Sequence, residues 1–439
     1  MARTSGWVAV AGMLAAAGTL GAAGCSGDDG SVSGTTSASS GGTGGSTEPG
    51  GSGGTGGAGG GSAGAAGELP YCPRPAAADN HVRKVVVSHP FDASGGDSDT
   101  RYEIFDLSES GTLSATGVEV NMGHTHSGVM AFTPDGKVGI IAQDMEAPPH
   151  DVASLGVLGF DANGNATVVQ DHFTADFFPG QVVMDPSGQR AYVLDGNWRN
   201  NGGGVYSVRI GCDGTLVSEG MVFASKLASR MVWLPGEPLG ALLAAHDAFD
   251  SPQDLDAHLL GWDKPAWIAG TDAFPDDNAI ISALAVMPDG QYALIGDNSE
   301  FSGVDNRVGI LHVSGNALSS LAPLTPINDP FAIVASPYDN AALVASGYDN
   351  ALILLSYNPS NALAPFAKAA AISYQGADPQ LPGDAAVIDR GSLKGLVLVT
   401  EVSGIRTLTF QANGTIVDHG LWPVSGGSES IVGMIGLQP

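Results

Sequence analysis

Residues 125–144, THSGVMAFTPDGKVGIIAQD, set two short apolar runs on either side of the polar turn Thr133-Pro134-Asp135-Gly136. Proline presets φ for such a turn and glycine supplies the positive φ that closes it, so the pattern predicts a β-hairpin. The pattern recurs at Met184-Asp185-Pro186-Ser187-Gly188, Leu234-Pro235-Gly236, Met287-Pro288-Asp289-Gly290 and Ser336-Pro337-Tyr338-Asp339-Asn340. From Pro134 onward the proline spacings are 52, 49, 53 and 49 residues. A sixth copy, residues 384–400, lacks the proline but places Asp389 52 residues after Pro337. Each turn leads into a β-rich run, such as Tyr192-Val193-Leu194 or Ala342-Leu343-Val344.

Two further runs joined by a glycine turn follow each pair, as in 204–210, Cys212-Asp213-Gly214 and 215–217, or 404–410, Ala412-Asn413-Gly414 and 415–417. Four short strands per repeat of about 50 residues predict blades of a β-propeller, an all-β fold, rather than a helical solenoid. Residues 83–88 read as a second strand lacking its first, and 428–435 as a first strand lacking the rest. The C-terminus is therefore expected to complete the N-terminal blade, giving a seven-bladed propeller with no open sheet edge.

Glycine and charge change this picture at the N-terminus. Of 439 residues 64 are glycine, and many precede residue 68. Residues 26–67 are almost entirely Gly, Ser, Thr and Ala, too poor in apolar surface to offset the entropy of ordering, and predict a disordered tether. Arg3, the apolar run 8–23 and the small residues 20–24 before Cys25 resemble a bacterial lipoprotein signal. That resemblance implies cleavage after residue 24, lipid on Cys25 and, with Ser26 next, the outer membrane. The expected organisation is 1–24 signal, 25–67 tether and 68–439 propeller. No later stretch approaches the ~20 apolar residues of a membrane span. The formal net charge of −28 disfavours nucleic acid and favours cations. With Cys25 acylated, Cys72 and Cys212 remain: either a disulfide, which an exported protein permits, or two separate thiols.

Chemistry is expected where blades collect polar residues on the face opposite the Pro-Gly turns. Second-strand ends contribute His89, Asp144, Asp195, His246, Asp247, Asp297, Asn298 and Glu401; first-strand starts contribute His124, His126, Gln181, Arg230, Asp329, Asp384 and Glu429. Such a ring around a concave opening is a candidate ligand-binding rim. The competing expectation is that Asp and Asn at strand ends only make turns. His124 and His126 share one side of a strand and could converge on a divalent metal ion or a substrate oxygen. A metal would need a third ligand, for which His89, His246, Asp144 and Glu401 are candidates. Residues 161–167 start like a calcium loop, but Ala166 and His172 occupy positions that need Gly and Glu, which leaves a hairpin turn. Residues 251–262, SPQDLDAHLLGW, read as an insertion forming a helical turn over the rim.

The motif His124-x-His126-Ser127-x4-Phe132-x-Pro134-Asp135-Gly136, ending at Asp144, resembles the lactonase family of seven-bladed propellers. That resemblance implies opening or closing of lactone rings on sugar acids and muconates. The family's next blade carries Arg-His before its turn and Glu at the second strand's end, where this chain has Gly180-Gln181 and Asp195-Gly196. Three functions follow as expectations. The first is a lipid-anchored binding module, monomeric, for a small molecule, a glycan or an envelope protein. The second is a lactone hydrolase with His124 or His126 as acid and base and Arg230 orienting substrate. The third is a metal-binding periplasmic protein.

Overall fold

The computed structural model describes residues 71–439 apart from 90, 93–100, 123–129, 144–152, 197–202, 226, 237–239, 246–254, 263–265, 276–278, 299–306, 348, 370–371, 425–429 and 432. The chain divides into Met1–Glu68 and Leu69–Pro439, and every described residue lies in the second unit. That unit is a seven-bladed β-propeller: seven four-stranded antiparallel sheets, with one two-stranded sheet beside them. Among the described residues no helix is long and apolar enough to cross a membrane.

The repeated turns form as their chemistry requires. Gly136, Gly188 and Gly290 have φ of 67°, 68° and 70°, and each N–H donates to the carbonyl three residues back at 2.8 Å. In the copy without glycine, Asp339 takes that conformation at φ 58°. Aspartate tolerates it better than most residues. From the turn the chain enters each blade's second strand, such as Val138–Gln143, Tyr192's strand Arg190–Asp195, Tyr292–Asp297 and Leu396–Glu401. These strands are buried almost throughout because neighbouring blades cover both of their faces.

Seven apolar clusters hold the ring, one at each seam between adjacent blades. The seam between blades 5 and 6, for example, joins Leu294 and Ile310 to Val344 and Leu355. Burial of apolar area across seams, not within single sheets, is thus the main favourable term.

Closure follows the expected scheme with a different strand. Ile435–Leu437, not 428–435, pairs with Val85–Val87 as the innermost strand of blade 1. Ser430–Ile431 pairs separately with Phe91–Asp92. Between them Ser88 breaks the ladder: its carbonyl accepts the N–H of Gly433 at 2.8 Å, and its hydroxyl accepts that of Met434 at 2.8 Å.

The expected helical turn at 251–262 is also corrected. Residues 251–254 lie outside the described residues, and Ala257–Gly261 is the third strand of blade 4. Both its faces are buried, with Ala257 and Leu259 in one seam and Leu260 in the other, so no alternation marks it as a strand.

On the Pro-Gly side residues 71–80 form a strap. Cys72 and Cys212 are joined in a disulfide, with Cα atoms 5.2 Å apart. Arg74 donates to the Gly211 carbonyl at 2.7 Å and lies 3.6 Å from Asp135, Ala77 donates to the Pro134 carbonyl at 2.8 Å, and Asp79 meets Arg390 at 3.4 Å.

Candidate functional site

The innermost strands place polar side chains at equivalent positions around the central channel, and each reaches the next blade. Gln181 Oε1 accepts the Met231 N–H at 2.8 Å, from blade 3 to blade 4. Arg230 Nε donates to the Ser282 carbonyl at 2.8 Å, and Ser282 Oγ to the Pro330 carbonyl at 2.8 Å. Asp384 Oδ2 accepts the Ile435 N–H at 3.0 Å, tying blade 7 to the closing strand. Residues predicted for the rim therefore also clasp the ring.

Two of them carry opposite charges. Arg230 belongs to blade 4 and Asp384 precedes the first strand of blade 7, three places further round a ring of seven. Burial pushes the Asp384 carboxyl above its ordinary value; hydrogen bonds from the Ile435 and Ala385 N–H groups and the positive charge of Arg230 pull it back. Asp384 is surrounded by protein yet keeps part of its surface exposed. The guanidinium is fixed by the Ser282 carbonyl and, through one Nη, by the Ser229 carbonyl at 2.9 Å.

The second-strand ends serve a different purpose. His89 Nε2, one residue past the second strand of blade 1, lies 3.4 Å from Glu103 Oε2 on the third, both buried. Asp297 receives Nε and Nη of Arg307 at 3.2 Å, and Glu401 receives Nε of Arg406. In blade 2 the same place holds Gln143, which accepts from Ser154 at 2.9 Å. These groups pin the second strand to the third. Asp195 is buried at its strand end, where its charge adds to burial in raising the Tyr206 phenol. Asp329 is buried with φ 51°, and its carboxylate lies where a β-carbon on Gly347 would fall, so a side chain there would displace it.

His124, His126, Asp144, His246, Asp247, Glu429 and Cys25 lie outside the described residues. Among the described residues no group of three His, Cys, Asp or Glu is arranged to hold a metal ion. Of the third ligands proposed for one, His89 sits against Glu103 and Glu401 against Arg406.

Sequence reasoning missed a cavity of about 390 Å³ beside blade 7, lined by Gln375, Asp378, Gln380, Glu401, Ser403 and His419 among others. Its signal was a spacing: blade 6's strands end at Lys368 and blade 7's begin only at Ala385.

The fold is that of a seven-bladed propeller whose innermost strands carry polar and charged side chains. Solved structures with this fold include a periplasmic gluconolactonase of Pseudomonas aeruginosa, 14% identical over 82% of this chain and 99% of its own, TM-score 0.58. A candidate 6-phosphogluconolactonase of Bacteroides fragilis is 13% identical over 81% and 98%, TM-score 0.52. A hypothetical selenium-binding protein of Sulfolobus tokodaii is 12% identical over 81% and 93%, TM-score 0.58. At such identities the likeness is one of fold. No protein-family model matches the chain, and no curated protein does.

Proposed function

We propose that the chain is a hydrolase of small cyclic esters, working inside the channel. The observation that carries this reading is a guanidinium, Arg230, fixed on the inner strand of blade 4 by two carbonyls, in a ring whose inner positions also hold the Asp384 carboxyl. In ester hydrolysis water adds to the carbonyl carbon, negative charge grows on the carbonyl oxygen, and the ring oxygen leaves as an alcohol. A fixed guanidinium suits the growing charge. A carboxylate whose basicity is raised by burial suits the water proton, with His124 and His126 as further candidates for that role. The likeness in fold to a gluconolactonase supports the same reading.

The test is proton release by the full-length chain on a panel of aldonolactones. Arg230→Gln is expected to lower kcat about 10²–10³-fold, the usual cost of losing an oxyanion donor. Turnover absent for every lactone, or indifferent to both Arg230→Gln and Asp384→Asn in variants that keep the wild-type melting temperature, overturns the proposal.

A second reading, a display module for a glycan or envelope protein, is favoured by one observation. His89, Asp297 and Glu401 are engaged inside their own blades rather than offered to a substrate. In either case we infer an exported protein, lipid-anchored through Cys25 at the outer membrane. The Cys72–Cys212 disulfide supports an oxidising compartment. Fatty-acid labelling that survives Cys25→Ala overturns the anchor.

A further inference from the structure

The connector between blades 6 and 7 departs from the repeat. Blade 6's outermost strand, Phe366–Lys368, has three residues, where the other blades have six to nine. Residues 369–384 follow before the next strand, and their described part, 369 and 372–384, is bonded to both blade 6 and blade 7. Between the connector's residues 375–380 and blade 7 lies the 390 Å³ cavity. Long connectors on a rigid scaffold are where ligand sites concentrate.

This connector is held at many points. Tyr374 Oη donates to the Leu352 carbonyl at 3.2 Å and accepts the Leu352 N–H at 2.9 Å. The Gln375 N–H donates to Asp418, Arg406 donates to the Ala377 carbonyl at 2.8 Å, and the Leu381 N–H donates to Asn350 Oδ1 at 2.9 Å. Its shape is therefore set before any ligand arrives, which lowers the entropy cost of binding.

The charges facing this space do not balance. The wall holds one guanidinium, Arg406, paired with the buried carboxylate of Glu401, and the exposed Asp378 adds a second carboxylate at the lip. An anion is repelled and a cation is drawn in. The remaining lining groups, the amides of Gln375 and Gln380 and the hydroxyl of Ser403, both donate and accept hydrogen bonds. Hydroxyl groups answer them. At 390 Å³ the cavity lies near the small end of the ~300–1,000 Å³ usual for ligand pockets, which suits one sugar-sized ring.

We propose that this cavity is a second binding site, separate from the channel, for a small hydroxylated organic cation of the amino-sugar class. Its ammonium lies toward Asp378 and the Glu401 edge, and its hydroxyls meet Gln375, Gln380 and Ser403.

Calorimetric titration of the full chain with glucosamine, glucose and gluconate tests this. Glucosamine is expected to bind with one site, glucose at least about tenfold more weakly, and gluconate not at all. Asp378→Asn, an exposed change that leaves the melting temperature alone, is expected to weaken glucosamine about tenfold. Arg230→Gln, three blades away from this connector, is expected to leave it unchanged in protein that keeps the wild-type melting temperature. No heat with glucosamine at millimolar concentration, equal binding of glucose or gluconate, or binding indifferent to Asp378→Asn overturns the proposal. Loss on Arg230→Gln would move the ligand to the channel. The lactonase reading is untouched by any of these results.

Discussion

Blades 5 and 7 carry the same device and use it differently. In each, a carboxylate at the end of the second strand holds an arginine of the third, Asp297 with Arg307 and Glu401 with Arg406. In each, an aromatic ring from the preceding connector lies against that arginine: Phe274 at 4.7 Å and Tyr374, one hundred residues later, at 5.6 Å. At blade 5 the connector is drawn into the core. Asp256 accepts the N–H groups of Ala273 at 2.7 Å and Phe274 at 2.9 Å, and both side chains are buried in the seam. At blade 7 the ring bears a hydroxyl tied to Leu352, and the connector stands off to leave the cavity. The repeat supplies the pin; the connector decides whether the space above it is filled or open.

Removing the pins measures how far they are equivalent. Arg406→Met has the largest expected effect, because it leaves Glu401 and Asp418 buried without their cation. The loss of unfolding free energy in urea is expected at about 3–5 kcal/mol. Arg307→Met strands one buried carboxylate instead of two and is expected to cost about 2–3 kcal/mol. Equal losses in the two variants would mean that Asp418 contributes nothing to the difference. Tyr374→Phe keeps the ring but unties the connector, at an expected cost of about 1 kcal/mol. Faster hydrogen exchange at Leu352 would locate the effect.

The smallest effect is expected at a pin set in solvent. Burial alone would raise the Glu219 carboxyl, but hydrogen bonds from Arg190, Ser207 and Arg209 outweigh it and hold the group at about 2. Since that lies below the ordinary 4.5, its stabilisation is complete above pH 4.5 and disappears as pH falls through about 2. Solvent screening keeps it to about 1 kcal/mol or less, so Glu219→Gln should flatten the acid limb of the stability curve only slightly.

The blade count was legible because turn chemistry writes itself into sequence: a proline and a left-handed glycine recur with the repeat. The pins were half legible. His89, Asp297 and Glu401 stand where the strand ends predict, but their partners cannot be read by counting. Asp297 meets a residue 10 positions on and Glu401 one 5 positions on, because the intervening loops differ in length. The closing strand was placed too early since Ser430, Ile431 and Ile435 are all good strand residues, and only the bonds at Ser88 divide them. The cavity was invisible in residue types, which are ordinary loop residues, and visible only as an irregular interval.

The disulfide spans 140 residues of sequence, and three strands of blade 1, all of blade 2 and three strands of blade 3 lie between its ends. A protease that cuts the backbone once anywhere in that interval does not release a fragment: the two pieces remain one covalent molecule, still packed seam to seam. On a denaturing gel the nick is silent until a thiol is added, when a single band becomes two.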